Sequence, residues 1–149
     1  MVVGRLVAAL KTEVMILRNL LHNKLYASPK TEKGVVDNFH KLYYYSYFFG
    51  KTLGNTFWLG VPTLKCPLDA WIYQEIVFET KPDIIVECGT ANGGSALYLA
   101  SLCDIIGKGR VITIDIEDGE GRPKHDRITY ILGSSVASET VEKIKKLVP

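Results

Sequence analysis

Cysteine is scarce in this chain of 149 residues, and Cys66, Cys88 and Cys103 are odd in number and lack metal-type spacing. That excludes a disulfide framework and a zinc module, and reads as three reduced thiols in a cytosolic protein. Long apolar runs are missing too: no stretch of about 18 uncharged apolar residues exists, which argues against a transmembrane helix. The apolar N-terminus is broken by Arg5, Lys11, Glu13 and Arg18, and no small-residue cleavage site follows, so it is not read as a secretory signal. A basic stripe with interleaved aromatics is absent, and no nucleic-acid partner is expected. Internal repeats and low-complexity tracts are also lacking.

What is present suits a packed core, since 47% of the residues are apolar. The net charge of +2 hides an asymmetry: residues 1–51 hold eight Lys/Arg against three Asp/Glu, and residues 52–149 hold ten against thirteen. A basic arm on a mildly acidic body could meet an anionic surface, or could be a solubilising bias. Residues 2–24 are expected to be helical, because Val3, Val7, Leu10, Val14, Leu17 and Leu21 recur at spacings of four and three. Such a helix suits a partner, a membrane surface or its own domain equally. The expected location is the cytoplasm, with residues 2–24 as a candidate for peripheral membrane contact.

Ala27 to Gly34 reads as a linker, and Val35 to Phe49 is crowded with Tyr43, Tyr44, Tyr45, Tyr47, Phe48 and Phe49. Asn55 to Asp69 reads as irregular. Leu68 to Thr80 reads as a helix with Asp69 as a possible cap and an apolar face of Trp71, Ile72, Ile76 and Val77. A regular alternation follows. Ile84 to Glu87 is a strand, Gly94 to Ile106 a helix, Val111 to Ile116 a strand, Ile128 to Leu132 a strand, and Ser138 to Leu147 a helix with Ser138 as a possible cap. This spacing argues for a parallel sheet.

The most informative stretch is Asp83 to Ser95, DIIVECGTANGGS. A buried strand, a turn that needs glycine and a free helix N-terminus make a crevice at the C-terminal end of a strand, where α/β sheets bind ligands. A dinucleotide fingerprint would need a middle glycine, and Ala91 stands there. Glu87 would repel a pyrophosphate and suits a cationic group. S-adenosylmethionine therefore fits better than NAD, and its carboxylate could use the free N–H groups near Gly93 to Ser95. Asp115, 21 residues after Gly94, can accept hydrogen bonds from both ribose hydroxyls, and Gly133-Ser134-Ser135 lies where an adenine ring would rest. The acids Glu117, Asp118 and Glu120 read as a solvated loop, and His125-Asp126 as a turn.

The segments NTFWLGVPTLKCPLDAWIYQEI, KPDIIVECGTANGGSALYLAS, GRVITIDI and HDRITYILGSS resemble the cephalosporin hydroxylase / rhamnosyl O-methyltransferase family. The resemblance covers about residues 36–149. It implies an α/β fold, the Rossmann-like class I methyltransferase three-layer sandwich, here with its first three parallel strands and an N-terminal helical extension over residues 1–34. It implies that Glu87, Gly89, Gly93 and Ser95 hold the methionine end of S-adenosylmethionine, with Thr90 and Gly94 of the same turn also cofactor-binding. Asp115 would hold the ribose, and Ser134 or Ser135 would lie near adenine. The family is expected to bind magnesium through acids on later strands and to methylate a sugar or small-molecule hydroxyl, so no magnesium ligands and no catalytic residues are assigned here.

The chain is accordingly read as the cofactor-binding portion of such an enzyme. Whether it is an enzyme by itself stays open. The alternative is a non-catalytic interaction module that docks through residues 2–24. An NAD-dependent oxidoreductase is disfavoured by Ala91 and Glu87. An open strand edge is expected to make the isolated chain marginal as a monomer and prone to homo-oligomerise.

Overall fold

The computed structural model describes residues 13–21, 23–24, 28–48 and 53–148. The chain divides into two compact units, Met1–Tyr45 and Ser46–Pro149.

In the first unit, residues 13–21 and 23–24 are helical (α1), within the span expected from the apolar spacing. Residues 2–12 of that expectation lie outside the described residues. The second helix, α2, covers Pro29–Phe48, so Pro29 to Gly34 is helix and not linker. The local chemistry explains the correction. Proline is pre-organised for a first turn, the Ser28 hydroxyl accepts the Thr31 amide at 3.2 Å, and Lys33 pairs with Asp37 one turn on at 2.6 Å. The aromatic crowding falls on this helix, where Phe39 stacks on Tyr43 with centroids 5.8 Å apart.

The second unit opens with a 3-10 turn, Leu53–Asn55, and a short antiparallel hairpin of β1 (Phe57–Trp58) and β2 (Val61–Pro62). By sequence pattern alone this stretch is irregular. Leu59 and Gly60 both take positive φ, 47° and 81°, which is the two-residue turn that matches strand twist. Only two residues per strand are too few to show an alternation. Helix α3 spans Pro67–Thr80 and is capped by Cys66, with Pro67 opening it; Asp69 sits inside the first turn and is not the cap. Lys81 ends the helix in the left-handed conformation.

The sheet is three parallel strands in the order β3-β4-β5: β3 (Ile84–Cys88), β4 (Arg110–Asp115) and β5 (Ile128–Leu132). Helix α4 (Gly94–Ile106) joins β3 to β4, and α5 (Ser138–Leu147) follows β5. Ala137, not Ser138, stands at the N-cap position of α5, where its carbonyl accepts the Val141 amide at 3.0 Å, and no side chain caps the helix start. Alternation along β4 feeds both faces. Val111 packs with Ala96 and Ala100 of α4. Ile112 and Ile114 pack with Ile131 on the other side, flanked by Ile144 and Leu147 of α5. A sheet covered by helices on both faces needs a strand with apolar residues on both, which Val111, Ile112 and Ile114 supply in β4.

The hairpin leans on α4. The Trp58 indole donates to Ser101 Oγ at 3.2 Å and meets the Tyr98 ring edge-on with centroids 4.9 Å apart. The Tyr98 hydroxyl donates to the Ala70 carbonyl of α3. Beside β3, whose outer edge is unpaired among the described residues, lies an apolar groove of about 910 Å³ walled by Trp58, Trp71, Ile76, Val77, Val86 and Tyr98. Trp71 and Ile76 of the expected α3 face are exposed, and only Val77 is buried.

Candidate cofactor site

Glu87 is the buried acid at the end of β3. Its two oxygens are held from different elements. Ser95 Oγ, at the start of α4, donates to Oε1 at 2.5 Å, and Thr113 Oγ1, from the middle of β4, donates to Oε2 at 2.8 Å. Thr90 Oγ1 and Thr113 Oγ1 are 2.7 Å apart. With Thr113 giving its proton to the carboxylate, Thr90 is the donor of that second bond. The result is a relay of hydroxyls pointing negative charge into the strand end. Polar groups this deep need partners, and these three satisfy one another.

The turn between β3 and α4 is shaped by its glycines. Gly89 takes φ +92° with nothing within 4 Å of the Cβ it lacks, so the backbone there borders open space. Gly93 takes φ +81° as the N-cap of α4 and has Pro123 and the Tyr130 hydroxyl close against it. At Gly94 a Cβ would stand 2.2 Å from Thr63 Oγ1 and 2.3 Å from the Pro62 carbonyl oxygen. The third glycine therefore serves close packing of β2 on the helix start. Ala91 takes φ 46° in the same turn. The first-turn amides of α4 have no acceptor within the helix, as at any helix N-terminus, and can meet an anion.

Asp115 closes the crevice from the end of β4. Its Oδ2 accepts the Thr90 and Ala91 amides, both at 2.8 Å, and Oδ1 accepts the Glu117 amide at 3.1 Å. Donation by the Ala91 amide, then by those of Glu117 and Thr90, outweighs burial and holds the carboxyl below its ordinary range, with the Arg122 charge adding to this. Gly133 at the end of β5 donates its amide to the Asp115 carbonyl at 2.8 Å. Ser134 beyond it is half-buried and Ser135 exposed. Among the described residues no hydrogen bond joins either serine to the glycine turn or to Glu87.

The structure thus brings Glu87, Gly89, Thr90, Gly93, Gly94, Ser95 and Asp115 to one crevice. Ser134 and Ser135 stand at the neighbouring strand end. The sequence reading missed Thr113, Tyr130 and Arg122. A polar residue inside the apolar strand VITID was a usable signal for Thr113. Arg122 sat in a polar loop with no signal at all. His125 serves the turn as expected: its carbonyl accepts the Ile128 amide at 3.0 Å, and its ring lies 3.0 Å from Asp104, which also binds Arg127.

The model of the Rhamnosyl O-methyltransferase/CmcI family matches residues 51–149. A rhamnosyl O-methyltransferase of Mycobacterium leprae (strain TN) is 33% identical over 116 residues, which cover 76% of this chain and 49% of that protein. The corresponding Mycobacterium tuberculosis (strain ATCC 25618 / H37Rv) protein is 32% identical over 117 residues, 76% of this chain and 46% of that one. An apo structure of CmcI superposes with a TM-score of 0.57 at 29% identity over 62% of this chain and 42% of that chain. A CmcI structure described as Mg-SAM gives 0.53 at 30% identity over 60% and 40%. The chain spans about half the length of the curated relatives it matches. By the family match and the shared fold, it belongs to the rhamnosyl O-methyltransferase/CmcI family.

Proposed function

We propose that the unit Ser46–Pro149 forms the S-adenosylmethionine-binding portion of an O-methyltransferase acting on a sugar or small-molecule hydroxyl, with the unit Met1–Tyr45 as an extension. The observation that carries this reading is the buried Glu87 carboxylate, held by Ser95 and Thr113 beside a glycine turn, with Asp115 across the crevice. The chemistry of the donors fits the cofactor. Buried negative charge at Glu87 suits an ammonium group, the first-turn amides of α4 suit a carboxylate, and Asp115 suits a ribose hydroxyl. Open space beside Gly89 lets a ligand approach the backbone. A phosphate-bearing cofactor is disfavoured by the same two acids.

When bound, S-adenosylmethionine supplies an electrophilic methyl group on a positive sulfur, and the protein supplies position and electrostatics. Ser95 and Thr113 fix the direction of Glu87 so that its charge faces the crevice. Asp115 joins the turn to the end of β4 and sets the crevice width. Ser134 and Ser135 bound the side where adenine would rest. Magnesium is named in one CmcI structure. Among the described residues no group of three His, Cys, Asp or Glu could hold a metal, and none is assigned here. Calorimetry with S-adenosylhomocysteine tests the reading. Binding that falls at least about tenfold in Asp115→Ala supports it; equal affinity of both proteins rejects the ribose assignment.

One observation favours a second role for the N-terminal unit. Val14, Leu17, Leu20 and Leu21 of α1 are each more than half exposed, next to the basic residues Arg18 and Lys24. No helix among the described residues is long and apolar enough to cross a membrane. Such a helix suits surface contact with an anionic bilayer, docking on a partner, or packing on its own domain. The edge of β3 that is unpaired among the described residues likewise favours self-association. Co-sedimentation with phosphatidylserine vesicles, lost on deleting residues 1–24, supports the membrane role; unchanged sedimentation rejects it.

A further inference from the structure

Asp115 and Arg122 grip the same two residues, Asp115 through their N–H groups and Arg122 through their carbonyls. Ala91 gives its N–H to Asp115 Oδ2 at 2.8 Å, and its carbonyl receives Arg122 Nε at 2.9 Å. Glu117 gives its N–H to Asp115 Oδ1 at 3.1 Å, and its carbonyl receives Arg122 Nη2 at 2.9 Å. The two charges lie 3.7 Å apart, and the Arg122 side chain is only 10% exposed. Its guanidinium carbon stands 5.8 Å from the centre of the Tyr130 ring, while the Tyr130 hydroxyl donates to the Pro123 carbonyl at 2.8 Å. A Cβ at Gly119 would be 2.6 Å from Arg122 Nε, so glycine there leaves the guanidinium its place. An arginine committed to this many neighbours is a fixed part of the crevice and not a solvated surface charge.

The consequence is a count of acceptor directions. An ionised carboxylate offers about four, two on each oxygen. In Asp115, Oδ2 is filled by the Thr90 and Ala91 amides, and one direction on Oδ1 is filled by Glu117. One direction, on Oδ1, is left. Gripping both ribose hydroxyls would require the turn to release Oδ2, and Arg122 opposes that release by holding Ala91 in place through its carbonyl.

Resting on the cofactor reading above, we infer that Arg122 is the positioning residue of the ribose end of the crevice: it locks the glycine turn onto Asp115, so that an adenosyl ligand is held there through one ribose hydroxyl and not two. Charge alone does not do this, because the two carbonyls must be bridged by one rigid fork, which lysine lacks.

The test uses the full chain with S-adenosylhomocysteine and its 2′-deoxy and 3′-deoxy analogues, measured by calorimetry. The wild type should bind one deoxy analogue about as well as the parent and lose about tenfold on the other, the scale of one hydrogen bond to a charged group. In Arg122→Gln and Arg122→Lys the parent should bind more weakly and the difference between the analogues should disappear. Without ligand, amide exchange at Thr90 and Ala91 should be faster in both variants, and that of β4 unchanged. Equal losses for the two analogues in the wild type, which needs no variant to fold, overturn the inference, as does a split that survives Arg122→Gln. Absence of any parent binding by the wild type strikes the cofactor reading itself and this inference with it.

Discussion

Replacing Gly94 by alanine adds one methyl group at the point where β2 meets the start of α4. The new Cβ would lie 2.2 Å from Thr63 Oγ1, 2.3 Å from the Pro62 carbonyl oxygen and 2.9 Å from its carbon. Two of these three atoms are backbone, and Thr63 Oγ1 itself donates to the Val61 carbonyl at 3.1 Å, so rotating the hydroxyl away breaks a bond. The hairpin has little freedom to retreat, since Trp58 is tied to Ser101 and packed edge-on against Tyr98. Overpacking of this kind costs about 1–3 kcal/mol. Alanine's better helix propensity opposes it, but by no more than about 1 kcal/mol even inside a helix, and Gly94 is the first helical residue. The net effect is destabilising, with a fall in Tm of roughly 4–8 °C for each kcal/mol in a domain of about 100 residues. Gly34→Ala is the control: nothing lies within 4 Å of its missing Cβ and it sits inside α2, so alanine should stabilise that helix by roughly 0.5–1 kcal/mol. Thermal unfolding followed by circular dichroism, with urea titration for the free energy, reads both. A Gly94→Ala protein that melts at or above the wild-type temperature would refute the close-packing role of that glycine.

Three further outcomes are expected. Thr113→Val removes the buried hydroxyl between Thr90 and Glu87 and leaves both short of a partner, which should cost about 1–3 kcal/mol in urea unfolding; a neutral result would mean the relay is not formed. Backbone donors hold Asp115 below its unfolded value of about 3.9. Its contribution is therefore whole above about pH 4 and lost as pH falls through the lower folded value. The stability gap between wild type and Asp115→Asn should shrink on acidification across that window, and a gap independent of pH would count against the network. Burial pushes the Cys103 thiol up while Cys88 is exposed. Iodoacetamide should therefore label Cys88 in the native protein and Cys103 only after unfolding, as read by peptide mass.

Much of the second unit was legible because local and global preferences coincide. The limits of α4, β5 and α5 follow from glycine, proline and apolar spacing, and those of β3 and β4 fall within a residue of the expectation. Legibility failed where it rested on very short or ambiguous signals. The β1–β2 hairpin is too short for periodicity, and the proline opening α2 reads as a breaker unless its capping serine is weighed. At the site, Glu87, the glycines, Ser95 and Asp115 were identifiable as residue types that a strand-end crevice requires. Thr113 needed the knowledge that it faces Glu87 across two adjacent strands.

The sequence alone determined the parallel α/β arrangement, the glycine turn after β3 and the two acids at adjacent strand ends, because each is written in residues close together along the chain. The tertiary structure alone decided how those acids are used. Thr113 lies 26 residues from Glu87, and Arg122 lies 31 residues from the Ala91 carbonyl that it holds. Hydrogen bonds over such separations depend on strand register and loop path, which local pattern does not encode. So Asp115, expected from the sequence as an acid at a strand end, is found to accept three backbone amides that only the folded chain brings to it.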